Sequence, residues 1–188
     1  MTSSENWRDF ECVRDDVESF VTWSIWTSEN NDRKTTMDVT IRRARPDEAK
    51  TLSLLARLAK RHWGYCDEWM QLWRRELTFT PEYISANDVY VADSDGIVMG
   101  VYGLIGFGDE IETEHFWVHP DVHGRGVGQH LFEHMVSKAI SKGAERIKIV
   151  SDPNAEGFYN RMGAKCIGTE ASKPIGRCLP VLCFHIER

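Results

Sequence analysis

The sequence predicts one α/β domain with a mixed sheet, running from Met37 to the C-terminus. Three observations carry this. Strand-like and helix-like runs alternate after Met37, an Asp-Gly turn separates two apolar runs, and 188 residues suffice for one sizeable core.

The elements follow in order. Residues 1–36 read as an acidic N-terminal extension, with eight acids and four bases. Phe10, Val13, Val17, Phe20 and Val21 recur there at helical spacing, so it is read either as a short amphipathic helix or as a poorly ordered piece. The polar stretch Thr27 to Thr36 reads as a linker. Val39-Thr40-Ile41 then starts the domain as a strand.

Pro46-Asp47-Glu48 opens a helix, with proline in the first turn and acids facing the positive end of the helix dipole. Leu52, Leu55, Leu58 and Ala59 are its expected buried stripe. A second helix follows Asp67, with Trp69, Leu72, Trp73 and Leu77 expected on one side. Val89–Ala92 and Ile97–Tyr102 flank Asp95-Gly96, a hairpin signal. A strand runs from about Ile111 to Val118. The clearest helix places Leu131, Phe132, Met135, Val136, Ala139 and Ile140 on one face and ends at Gly143. Arg146–Val150 is a strand and Asn154–Met162 a short helix closed by Gly163. Ala164–Gly168 and Val181–Ile186 complete the strands.

Composition narrows the function. The net charge is −6, of which −4 falls in residues 1–36, so nothing here suits a nucleic-acid surface. No apolar run approaches the roughly 20 residues that cross a bilayer. The start Met1-Thr2-Ser3-Ser4-Glu5 lacks a basic patch before an apolar core, so a cytoplasmic protein is expected. The five cysteines form no C-x-x-C pair and read mostly as reduced core thiols. His130 and His134 lie four apart with no third ligand in view, so no metal is expected. A homodimer stays open.

One motif carries chemistry. A diphosphate needs several converging backbone N–H groups, best supplied by a glycine-rich turn that opens a helix. His123-Gly124-Arg125-Gly126-Val127-Gly128 stands between an apolar strand and the clearest helix. The same spacing at Gly103, Gly106 and Gly108 leads only into another strand and reads as a hairpin. A P-loop would need Lys-Ser/Thr after Gly128, where Gln129-His130 stands.

Here the chain resembles the GCN5-related N-acetyltransferase (GNAT) superfamily. The matching residues are Glu114-His115-Phe116-Trp117-Val118-His119-Pro120, the glycine loop, and Asn154-Ala155-Glu156-Gly157-Phe158-Tyr159 leading to Met162-Gly163-Ala164. The likeness in layout covers about residues 38–187. His123 stands where the family usually has Gln or Arg, a change that a backbone-donating loop tolerates. The resemblance implies a mostly antiparallel sheet flanked by helices. Its central parallel strands, ending at Val118 and Val150, splay to admit the pantetheine arm of acetyl-CoA. It implies cofactor contacts from Val118, His123, Gly124, Arg125, Gly126, Val127, Gly128, Gln129, Asn154, Phe158 and Tyr159.

The same resemblance implies an N-acetyltransferase acting on a primary amine of a small molecule or peptide. Tyr159 would protonate the leaving thiolate, or else be a buried aromatic. The Val118 N–H would receive the developing oxyanion. Glu114 is the candidate base, on the face of Val118 by period-two alternation; otherwise it partners nearby cations. His115 would face the other way. The acceptor would meet His62-Trp63-Gly64-Tyr65-Cys66-Asp67-Glu68-Trp69 and the loop Ser172 to Arg177. Trp63, Tyr65 and Asp67 are the candidates there, since aromatic faces and carboxylates suit a cationic amine. Trp69 and Trp73, four apart, read as a core stripe. Two alternatives remain: a non-catalytic sensor or regulatory module that binds coenzyme A or an acyl-CoA, and an enzyme using a longer acyl donor.

Overall fold

A computed structural model describes residues 38–187; the extension 1–36 and its amphipathic segment lie outside them. Seven strands and five helices follow. They are β1 (Thr40–Arg43), α1 (Ala49–Arg61), α2 (Asp67–Leu72), α3 (Pro81–Ala86), β2 (Asp88–Ser94), β3 (Ile97–Ile105), β4 (Glu110–Val118), α4 (Val127–Ser141), β5 (Arg146–Val150), α5 (Glu156–Arg161), β6 (Lys165–Ser172) and β7 (Arg177–His185). The strands form one sheet in the order β1-β2-β3-β4-β5-β7-β6. Only β4 and β5 pair in parallel.

Local chemistry accounts for most of these elements. Asp95 (φ 54°) and Gly96 (φ 83°) turn β2 into β3 with two left-handed residues, which matches the twist of the strands. Pro46–Glu48 forms a single 3-10 turn before α1, and buried Glu48 accepts from Arg42 and from the Arg45 N–H. Gly143 (φ 82°) closes α4 in the left-handed conformation.

One face of the sheet carries α1 to α3. Leu52, Leu55, Ala56, Trp73, Leu77, Phe79 and Ile84 pack there on Val89, Val91 and Val101. On the other face Leu131, Phe132, Met135 and Ala139 of α4 are buried, and α4 reaches strands from β1 to β5. Burying each large side chain contributes about 1.5–3 kcal/mol, which holds both layers to the sheet.

Several expectations need correction. The α1 stripe is Leu52, Ser53, Leu55, Ala56, Ala59 and Lys60, with Leu58 only half-buried. α2 stops at Leu72 and the chain turns, so Leu72 points to solvent while Met70, Trp73 and Leu77 are buried. In α4, Ile140 is exposed and Val136 half-buried, because the buried stripe follows Val127, Leu131, Met135 and Ala139 and leaves those two at its edge. α3 carries a signal that the sequence reading passed over: Thr80 accepts from the Tyr83 N–H as cap, and Pro81 occupies the first turn. Cys66, Cys166 and Cys178 are exposed thiols, Cys166 on the exposed edge strand β6, and among the described cysteines only Cys183 is buried. Cys12 lies outside the described residues. No helix among the described residues is long and apolar enough to cross a membrane.

Candidate active site

Parallel pairing of β4 with β5 runs from Glu110↔Arg146 to Thr113↔Ile149 and stops. β4 continues to Val118, still held by β3, whereas β5 ends at Val150, held by β7. The strands therefore part beyond Thr113 and Ile149, as the resemblance implies. The gap is a cleft of about 910 Å³.

A bulge marks the parting. Gly103 pairs with His115 and Leu104 with Thr113, so Glu114 is an extra residue on β4. This corrects the alternation argument. Glu114 and His115 both approach Tyr83 of α3, while Phe116 and Val118 turn to the opposite face, against Phe158 and Gly128. Glu114 still lines the cleft. Burial, and then the Glu114 carboxylate beside it, push the Tyr83 phenol well above its usual range. The carboxylate is near enough to act on the hydroxyl, yet that hydroxyl has no hydrogen-bond partner. His115 is buried against Phe79 and Tyr83, which pulls its pKa down to about 4.

Backbone direction along β4 follows from two bonds. The His119 N–H donates to Met99 on β3 at 2.8 Å. Alternation turns the Trp117 and His115 peptides the same way and leaves Phe116 and Val118 facing the edge that β5 has left. The Val118 carbonyl agrees: it meets His123 Nε2 at 3.2 Å rather than β3. The Val118 N–H therefore opens toward the cleft.

The glycine loop follows a 3-10 turn, Pro120–Val122. Buried Val122 and Val127 anchor its two ends. Gly124 (φ 75°) and Gly126 (φ 87°) adopt left-handed angles, and a Cβ on either would touch nothing within 4 Å, so this backbone is bare. The first helical bond is His130 N–H to Gly126 C=O. The N–H groups of Val127, Gly128 and Gln129 thus precede the helical ladder, and the helix dipole favours an anion there. Gly128 serves differently: its Cβ would lie 3.3 Å from the Phe158 ring. Arg125 is exposed beside the loop. The N–H groups of His123 and Arg125 donate to Pro120 and Val122, which leaves those of Gly124 and Gly126 to Gln129 to fit a diphosphate.

α5 supplies the remaining cofactor candidates. Tyr159 is 4% exposed, between Phe116, Phe132 and Phe158. Burial raises its phenol well above the normal range, so it holds its proton near neutrality. Asn154 Nδ2 donates to Asp152 Oδ1 at 3.0 Å and to the Tyr65 hydroxyl at 3.1 Å. Val118, His123, Gly124, Gly126, Gly128, Gln129, Asn154, Phe158 and Tyr159 all line the cleft together with Glu114.

The acceptor candidates separate. Trp63 lines the cleft at the loop end, stacked on His123 at 6.2 Å with His62 alongside. Asp67 is 72% exposed and pairs with Arg61, outside the cleft lining. Tyr65 turns inward and joins a cluster that the sequence reading did not assemble. Asp152 Oδ2 takes Lys60 Nζ at 2.5 Å and Arg177 Nη2 at 2.9 Å, and Oδ1 accepts from the Tyr65 hydroxyl at 2.9 Å. Lys60 and Arg177 also lie over the rings of Trp73 and Tyr65. Those aromatic faces are therefore covered by the protein's own cations. A signal for Lys60 existed: it sits eight residues after Leu52 and four after Ala56, on the buried stripe of α1. Burial, only partly opposed by Asp152, draws Lys60 below the usual lysine range. Burial works to raise Asp152, but its bonds to Lys60, Asn154 and Tyr65 hold it below the usual aspartate range.

Comparison with known proteins agrees with this geometry. The acetyltransferase (GNAT) family matches residues 52–164. The chain is 25% identical over 161 residues to the peptidyl-lysine N-acetyltransferase YjaB of Salmonella typhimurium, covering 78% of this chain and 97% of that one. It is 34% identical over 67 residues to an uncharacterised ycf52-like N-acetyltransferase of Prochlorococcus marinus, a match over 32% of this chain and 37% of the other. Its fold is similar to that of PaiA N-acetyltransferase from Thermoplasma acidophilum in complex with coenzyme A. There the TM-score is 0.67 and identity 18%, over 80% of this chain and 100% of that one. A GCN5-related N-acetyltransferase from Rhodopseudomonas palustris gives 0.68 and 19%, over 82% and 99%. The chain belongs to the acetyltransferase (GNAT) family and is, by that membership, an acyl-CoA-dependent acetyltransferase.

Proposed function

We propose that the chain moves the acetyl group of acetyl-CoA to a primary amine of a small molecule or peptide. The observation that carries this is the parting of β4 and β5 beyond Thr113 and Ile149, directly beside the bare glycine loop. In this reading the pyrophosphate lies on the N–H groups of Gly124 and of Gly126 to Gln129, with the Arg125 side chain near it. Because the Asn154 amide is already donating, its carbonyl oxygen is the group left to meet the pantetheine arm. The relatives support an amine acceptor: one is named for peptidyl-lysine, and a similar fold occurs in an aminoglycoside 6'-N-acetyltransferase complexed with coenzyme A, at 17% identity.

The chemistry would divide among three groups. Glu114 takes the proton of the ammonium, and the freed nitrogen attacks the thioester carbonyl carbon. The Val118 N–H faces the oxyanion that forms. As the C–S bond breaks, Tyr159 gives its proton to the thiolate, the nitrogen's second proton leaves to solvent and the Tyr159 phenolate recovers one from solvent, yielding coenzyme A and the acetamide. The test is thioester turnover with a panel of amines, run beside calorimetry with acetyl-CoA. Binding without turnover on any amine would favour a non-catalytic module.

A further inference from the structure

The cluster at the inner wall of the cleft holds more positive than negative charge. Lys60, Asp152 and Arg177 have side chains 9%, 6% and 9% exposed. Among the described residues, Asp152 is the only carboxylate bonded to either cation; Glu76 acts on Lys60 from a distance and is exposed. Two buried cations therefore share one counter-ion. Burying unbalanced charge is unfavourable, and one cation would suffice to tie α1 to the end of β5. The rings of Trp73 and Tyr65 offset part of the excess. Repulsion from Arg177 adds to burial in drawing Lys60 down, as expected where positive charge is short of a partner.

The donors are also unevenly used. Arg177 Nη2 is occupied by Asp152 and the Tyr65 hydroxyl, while Nη1 has only Ser172 Oγ at 3.4 Å. Both Asp152 oxygens are already engaged. Lys60, Ser172 and Arg177 all line the cleft. Acids line the same cleft: Glu114 at the bulge, and Glu112 and Glu170 beside Lys148 at 3.1 and 4.0 Å. The pocket thus presents carboxylates for an ammonium as well as cations for an anion.

Resting on the acetyl-transfer reading, we propose that the acceptor is an amino carboxylate. Its amine lies at Glu114, and its free carboxylate is held by Arg177 and Lys60. A free amino acid and the C-terminal carboxylate of a short peptide share this chemistry.

The test measures binding to the protein saturated with coenzyme A, so that it does not depend on turnover. Free amino acids and short peptides are compared with the same compounds amidated at the C-terminus. The free acids should bind roughly tenfold or more tightly, the scale of one lost charged hydrogen bond. Free acids against peptides identify the source. Arg177→Gln should abolish the preference and Arg177→Lys keep part of it; should either fail to fold, Lys60→Gln takes its place. Equal affinity of acids and amides, or no binding of any acid, would overturn the proposal. Turnover of amines without a carboxylate, at equal efficiency, would overturn it too while leaving acetyl transfer intact. No turnover of any amine by protein that binds the acids would count against the transfer reading alone.

Discussion

The Tyr83 hydroxyl occupies the space where Gly103 would carry a Cβ, 2.8 Å from that position. A side chain on Gly103 must therefore displace a buried phenol at the place where β4 bulges and Glu114 enters the cleft. Gly103→Ala is expected to destabilise by about 1–3 kcal/mol. Tyr83→Phe removes a hydroxyl that has no partner, so alone it should be neutral or stabilising. Together the two should recover most of the loss. Denaturant midpoints of both single variants and the double variant check this, and simple additivity would refute the contact.

Gly126 calls for a different argument, because nothing stands within 4 Å of its Cβ position. Its φ of 87° is the obstacle, one that β-branched residues scarcely adopt. Gly126→Val should abolish coenzyme A binding by calorimetry while circular dichroism stays native. Near-native affinity would remove the loop from the site.

Tyr159→Phe keeps the ring between Phe116, Phe132 and Phe158 and deletes the proton donor. The expected loss is about ten- to a thousandfold in turnover with little change in acetyl-CoA affinity. An unchanged rate would make Tyr159 a packing residue only.

Asp152→Asn would leave Lys60 and Arg177 buried without a counter-ion, at a cost of about 3–5 kcal/mol. The pH dependence has a definite sign. The folded-state pKa of Asp152 is depressed, so its contribution is present above the ordinary aspartate range. It is lost as pH falls through the lower, folded value. Acid melts should show a steeper stability loss below the aspartate range in the native protein than in Asp152→Asn.

The composition shift at Met37 leads to a further expectation: a chain beginning at Met37 folds and binds acetyl-CoA. Solubility and calorimetry decide, and an insoluble or inactive product would mean that residues 1–36 complete the core or a dimer contact.

The residues themselves determined whatever depends on near neighbours. Asp95-Gly96 specifies its turn through backbone angles, and the glycines at 124 and 126 specify a bare loop before a helix. The order of strands and helices was legible for the same reason, whereas the cleft positions of Asn154 and Tyr159 were implied by the family resemblance. Only tertiary structure decided the rest. The bulge that turns Glu114 toward Tyr83 arises from pairing with β3, so alternation counted along β4 alone gave the wrong face. Leu72 was assigned to a buried side because nothing local shows that α2 ends there. Tyr65 looked open to a cationic ligand until folding laid Lys60 and Arg177 over its ring. Asp152 lies 92 residues from Lys60 and 25 from Arg177. A charge cluster joined across such separations has no period or motif; it exists because the fold brings the end of α1, the end of β5 and the start of β7 to one wall of the cleft.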